Sequence, residues 1–197
     1  KMHLRGISVN YNSKFLVYFN KMFDRIFKTN SKKIEIDIYR TIVEQSRQQS
    51  FYTNYGVPDT PEGRFDMIII HAFLVLRRLR DETTNDLSQE IFDLMFADME
   101  QNLREMGIGD TGIAKKIMAM AEAFYGRIKV YEIGLKDTPF LKKALNRNLF
   151  RDSNAKEEQI RSMAKYIKQE ANRIETIEIN EILNGNLSFS SPSVFLS

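Results

Sequence analysis

Gly107, Gly109 and Gly112 spell G-x-G-x-x-G within "MGIGDTGIAKK" (106–116). That spacing cradles a pyrophosphate when a strand precedes it and a helix follows, because the helix N-terminus then points at the phosphates. Here a helix follows, but residues 85–106 before the motif have the period and length of a helix rather than a strand. Asp110 would also set a carboxylate beside the phosphates. The glycines read instead as a corner between two helices. Gly107 ends one helix in a left-handed conformation, Gly109 bends the chain and Gly112 lies in the first turn of the next.

A second set of residues could do acid–base or metal chemistry. Arg64, His71 and Arg78 recur at seven-residue intervals on one stripe of a segment that is otherwise apolar. On the 85–106 segment, Leu87, Ile91, Met95, Met99 and Met106 define an apolar arc, and Asp98 and Asn102 fall inside it. A His71–Asp98 pair could act as a base and its orienting acid, or the two could share a metal ion. The chain has no cysteine, its other histidine is His3, and no Ser nucleophile stands in a recognisable context. Buried polar groups are costly unless paired, so the expected role is structural. Asp98 and Asn102 are expected to meet Arg64 and His71, or Arg47, Tyr52 and Tyr55, and so to pin the loop before the apolar helix. No catalytic residue, cofactor site or metal site is assigned.

The elements that position these residues all read as helices. The chain has 197 residues, 43% hydrophobic and 28% charged, enough for one sizeable domain. Phe15, Leu16, Phe19, Phe23, Ile26 and Phe27 give residues 13–27 an amphipathic period. Residues 32–49 alternate at first, but no second strand-like run exists to pair with them, so a helix is expected there too. The Pro, Gly, Asn and Asp signals of 50–63 predict a loop. Thr60 before Pro61 predicts an N-cap, opening a helix to Leu79 that is apolar almost all round and therefore central. Helices follow over 85–106 and over 111–135, the latter capped by Asp110. Two more run over 137–150, capped by Asp137 or Thr138, and over 154–177, where Asn154 and Glu157 have capping-box spacing. "NEIL" reads as a further turn. The expected fold is all-α, a single-domain bundle of about seven helices. It divides into an N-terminal amphipathic helix (1–30), a helical body (31–183) and a loosely held C-terminal tail (184–197).

Surface features point to partners rather than reactions. The net charge is +3, with basic stretches at the start and over 107–150 around an acidic 64–106 segment. Ala119, Ala123 and Gly126 form a row of small residues on the 111–135 helix, away from its core face. Met95, Met99, Met106, Met118 and Met120 gather around the glycine corner. A pliant Met-lined surface suits a helical client. Lys115, Lys116, Lys142, Lys143 and Arg147 are candidates for an acidic or RNA surface. A helical nucleic-acid- or ribosome-binding protein is therefore the alternative reading, although no helix-turn-helix signature is present and DNA is not expected. The basic, Phe-rich first helix could also rest on a membrane surface. No apolar run approaches the roughly 20 residues that a span needs.

The segments singled out above carry a family pattern. "GVPDTPEGRFDM" (56–67) and "MFADMEQNLREMGIGDTGIAKKIMAMAEAFYGR" (95–127) resemble the ubiquinol–cytochrome c chaperone family, assembly factors of the cytochrome bc1 complex found in mitochondria and alphaproteobacteria. The resemblance covers roughly residues 35–135. It implies an all-helical protein without cofactor or catalysis that binds newly made cytochrome b and supports bc1 assembly. Mitochondrial members also work with a small helical partner and at the ribosome exit. A short chain of alphaproteobacterial type is expected in the cytoplasm, with peripheral contact at the inner membrane. Within it, Met95, Met99, Met106, Lys115, Lys116, Met118, Ala119, Ala123, Gly126, Lys142, Lys143 and Arg147 are the candidate client or partner surface.

Overall fold

The structure is a computed structural model that describes residues 33–80, 84–151 and 153–195. The chain divides into two units, Lys1–Lys33 and Ile34–Ser197. The amphipathic helix expected within residues 1–30, and the basic stretch and membrane contact assigned to it, lie outside the described residues.

The second unit is all-α, and no strand occurs among its described residues. Its helices are α1 (Lys33–Ser46), α2 (Gln49–Thr53), α3 (Pro61–Arg78), α4 (Asn85–Glu105), α5 (Asp110–Lys136), α6 (Thr138–Leu145), α7 (Glu157–Glu175) and α8 (Ile179–Leu183). A π-helical turn, Asn146–Phe150, extends α6, and a 3-10 turn, Pro192–Phe195, closes the described chain. The strand-like start of α1 is helical, with Ile38 and Ile42 fully buried one turn apart. The expected loop 50–63 is shorter than its composition suggested. Phe51 anchors the single turn α2 in the core, and Tyr55 and Val57 follow it inside.

α3 is the central element. Every residue from Phe65 to Val75 is buried, as an all-round apolar helix requires. Thr60 caps it, its hydroxyl accepting from the Gly63 amide, and Pro61 fills the first position. α3 packs against α7, α5 and the π turn, while α5 packs against α4 and α6. The core face of α5 is Ile113, Ile117, Ala121, Phe124 and Tyr131.

The glycine corner is a helix–helix connection. Gly107 has φ +78°, a conformation that a side chain would strain, and its amide closes the end of α4 on Arg104 O. Asp110 does not cap α5. Gly109 holds that position, and Asp110 instead receives Arg104 Nη1 at 2.7 Å. The same guanidinium holds Glu100 at 2.8 Å, so one arginine fastens both sides of the corner. At α6 the cap is Asp137, which accepts from the Phe140 amide. At α7 the start lies two residues later than Asn154 implied. There Gln159 Oε1 accepts from the Lys156 amide at 2.8 Å.

Residues 187–195 of the C-terminal tail are not loosely held. Leu187, Pro192 and Phe195 are buried, and four side chains of the helical body grip its backbone. A position at the chain's end points to a loose hold. Three apolar anchors spaced along nine residues are enough to hold the segment. After the π turn, Arg151 takes φ +45°, ψ −121°, a region that residues other than glycine rarely adopt.

Candidate functional site

The six residues expected to form one polar network lie in several separate places. His71, on α3, is completely buried. Its Nδ1 lies 2.8 Å from Met67 O and 2.9 Å from Ser46 Oγ, and its Nε2 lies 2.8 Å from the Tyr166 hydroxyl. A carbonyl can only accept, so Nδ1 carries the proton and Nε2 accepts from Tyr166. Tyr166 in turn accepts from Gln45 Nε2 at 3.0 Å. This relay joins α1, α3 and α7, and Phe51, Tyr166 and Phe189 close over the imidazole with ring centroids 5.0–5.7 Å away. Burial lowers the His71 pKa to about 4, against the pull of the Met67 carbonyl and of Glu170. The ring is neutral near pH 7 and sealed from any substrate.

The proposed His71–Asp98 pair does not form. Asp98 Oδ2 accepts from the Tyr39 hydroxyl at 2.7 Å, across the α1–α4 seam. Burial, together with that bond to Asp98, pushes the Tyr39 pKa up. Asn102 is exposed and folds back on Asp98, its Nδ2 lying 2.6 Å from Asp98 O. The buried arc of α4 is narrower than its apolar pattern implies, since its last turn runs out of the body into solvent, where Met106 is 62% exposed. Arg64 is exposed too. It pairs with Asp59 at 2.6 Å and stacks 5.9 Å over the Tyr52 ring. Tyr52 donates to Ser46 O at 2.7 Å, which ties the 50–63 segment to α1 without Asp98. Arg47 is exposed. Arg64, His71 and Asp98 therefore do not converge on an open cleft.

Two completely inaccessible carboxylates escaped the sequence reading. Asp66 on α3 has no exposed surface. It holds Arg127 of α5 at 2.9 Å and Arg151 beyond the π turn at 3.1 Å. Burial raises its carboxyl to about 6, and the two guanidinium groups limit the rise. Glu170 on α7 is equally inaccessible. It binds Arg173 at 2.8 Å and the Ser190 amide at 3.2 Å. Burial works to raise its pKa, but these hydrogen bonds prevail and hold it below the ordinary glutamate value. The signal for Asp66 was available, because it is the one carboxylate inside the apolar stretch of α3.

The candidate partner surface also divides. Met95 and Met99 are core residues, 1% and 8% exposed, which removes them from any surface. Met106, Met118 and the lysines Lys115 and Lys116 are exposed. Ala119 and Gly126 are exposed and Ala123 is half-buried. They share the outer face of α5 with Tyr125 and Ile133, large apolar residues left 51% and 48% exposed. A Cβ built on Gly126 would meet no atom within 4 Å. Lys143 and Arg147 face solvent on α6 and its π extension, while Lys142 is engaged by Glu157 across to α7.

Comparison with known proteins meets this arrangement at the level of the whole fold. The crystal structure of the Cbp3 homolog from Brucella abortus superposes with a TM-score of 0.75 at 34% identity, covering 89% of this chain and 98% of that one. The ubiquinol-cytochrome c reductase complex assembly factor 1 of Mus musculus is 25% identical over 159 residues. That alignment takes in 79% of this chain and 54% of the mouse protein. Its Xenopus laevis counterpart is 26% identical over 162 residues, 79% of this chain and 81% of the frog protein. The chain thus spans about half the length of the mouse relative and most of the frog one. Residues 53–189, from the end of α2 through the first anchors of the tail, match the family described as ubiquinol-cytochrome C chaperone. The match takes in the Thr60–Pro61 cap, the Asp66 cluster, His71 with Tyr166, and the glycine corner, and on that ground the chain belongs to the ubiquinol-cytochrome C chaperone family.

Proposed function

We propose that the protein is a non-enzymatic chaperone that binds newly made cytochrome b through the outer face of α5 and supports assembly of the cytochrome bc1 complex. Family membership supplies the class of work. The observation that carries the surface assignment is Gly126. A glycine inside a helix costs about 0.5–1 kcal/mol relative to alanine. Neither backbone conformation nor a neighbouring atom requires a glycine there. A missing side chain between exposed Met118, Tyr125 and Ile133 fits the close approach of a helix backbone from another molecule. Lys115 and Lys116 near the start of the same helix suit peripheral contact with an anionic bilayer, where a membrane subunit is delivered. No described helix is itself long and apolar enough to cross a membrane.

The test separates fold from function. Gly126→Ala is expected to raise the unfolding free energy by about 0.5–1 kcal/mol. Gly126→Leu is expected to leave folding intact while lowering the yield of cytochrome b captured by a photo-crosslinker at Ile133 and reducing assembled bc1 complex. Undiminished capture in the Leu variant removes the assignment to α5. Normal cytochrome b and bc1 levels in a deletion strain remove the function itself.

A further inference from the structure

The segment from Leu187 to Phe195 crosses α1, α2 and α7, and four of its polar contacts with the body are made by its backbone, the Ser190 side chain adding a further one to Glu170. Gln45 Nε2 donates to Ser190 O at 2.9 Å, and the Ser190 amide donates to Glu170 Oε2 at 3.2 Å. The Tyr55 hydroxyl donates to Pro192 O at 2.6 Å, and the Arg173 guanidinium donates to Ser188 O. Two aromatic side chains set the register. Phe189 stands edge-on to His71 with centroids 5.0 Å apart, and Phe195 edge-on to Tyr166 at 5.4 Å. Ser188, Ser191, Ser193 and Val194 between and beside these anchors point outward. None of the four backbone bonds depends on which side chains the segment carries. The groups that make them, Gln45 and Glu170, are themselves buried polar residues of the body. Recognition through main-chain bonds with pockets for a few side chains is how grooves bind extended peptides. The segment also has a pivot. Gly185 takes φ +82° in open space between α8 and the first anchor.

We propose that the channel formed by Gln45, Tyr55, His71, Tyr166 and Glu170 is a peptide-binding groove, filled in cis by residues 187–195. In trans it accepts an extended segment of a partner protein that carries two aromatic side chains six residues apart with small polar residues between them. The tethered segment competes at an effective concentration set by its short connection, of order millimolar. An outside peptide therefore binds well only when the aromatic anchors of the strap are weakened. This inference stands whether or not cytochrome b is the client of the α5 face.

A labelled peptide of the sequence LSFSSPSVF, titrated by fluorescence anisotropy against the full chain, tests it. Phe189→Ala/Phe195→Ala in the full chain is expected to bind the peptide at least ten-fold more tightly than the unsubstituted chain. Adding Gln45→Ala to that variant, or replacing both Phe of the peptide by Ala, is expected to reverse the gain. Equal or absent binding by a double variant that still unfolds cooperatively overturns the proposal. If the double variant does not fold, hydrogen exchange on the unsubstituted chain decides. Exchange of the Ser190 amide well before the α7 core amides, accelerated by excess peptide, supports a displaceable strap. Exchange only through global unfolding overturns it.

Discussion

Two buried polar centres sit five residues apart on the same helix, and they are built on opposite terms. Around Asp66 a carboxylate without solvent contact is met by two guanidinium groups, one from α5 and one from the residue after the π turn. Around His71 every partner is neutral, and a chain of single hydrogen bonds runs Gln45–Tyr166–His71–Met67. The first centre joins elements by charge, and its energy is a difference between large desolvation and Coulomb terms. The second joins them by directed bonds of modest net worth, each expensive only when left unmade. Both fasten α3 to what surrounds it, but they should fail differently.

The largest contrast is expected on deleting one partner. Asp66→Ala strands Arg127, which is 12% exposed, and should lower the unfolding free energy by about 4 kcal/mol in denaturant titrations. Asp66→Leu combined with Arg127→Met should recover most of that loss. Recovery would mark the pair as replaceable by packing, and no recovery would mark it as specifying the fold.

Acid should separate the centres next. His71 has a lowered folded-state pKa, so its neutral form stabilises the fold above the unfolded value of 6.5. That contribution is lost as pH falls toward about 4. Asp66 has a raised folded-state pKa, so its contribution is complete below 3.8 and is lost as pH rises through about 6. The two slopes oppose, and the unsubstituted chain should hold nearly constant stability between pH 4 and 6. Asp66→Asn should expose the histidine slope, a loss of about 3 kcal/mol on going from pH 7 to pH 4. A flat profile in that variant would contradict the neutral, sealed imidazole.

Smaller effects probe the relay itself. His71→Phe keeps a planar ring but leaves the buried Tyr166 hydroxyl proton without its acceptor, and should cost about 2 kcal/mol. Tyr166→Phe leaves Gln45 bonded to Ser190 O, and should cost only about 1 kcal/mol. Thermal midpoints at neutral pH would rank the two, and a reversed order would place Tyr166 rather than His71 at the centre of the seam.

Much of the framework was legible from local chemistry. The Thr60–Pro61 start of α3, the Asp137 cap and the Gly107 corner each depend on a few adjacent residues, and each formed. Asp98 and Asn102 misled because helical periodicity shows which residues share a face but not where that face leaves the body. The His71 relay could not be read, since Tyr166 stands 95 residues away and Gln45 lies on a third helix. The tail failed for a different reason. Most of its serines are exposed, while its hold comes largely from backbone groups that carry no sequence signature.

Arg151 carries one more consequence. Its φ of +45° favours glycine, and its duty toward Asp66 demands a cation. No single amino acid meets both conditions, so a lone substitution there trades relief of strain against a lost counter-charge. Positions 66, 127 and 151 should consequently drift as a trio across related chains, with the left-handed bend reverting to glycine wherever the acid disappears.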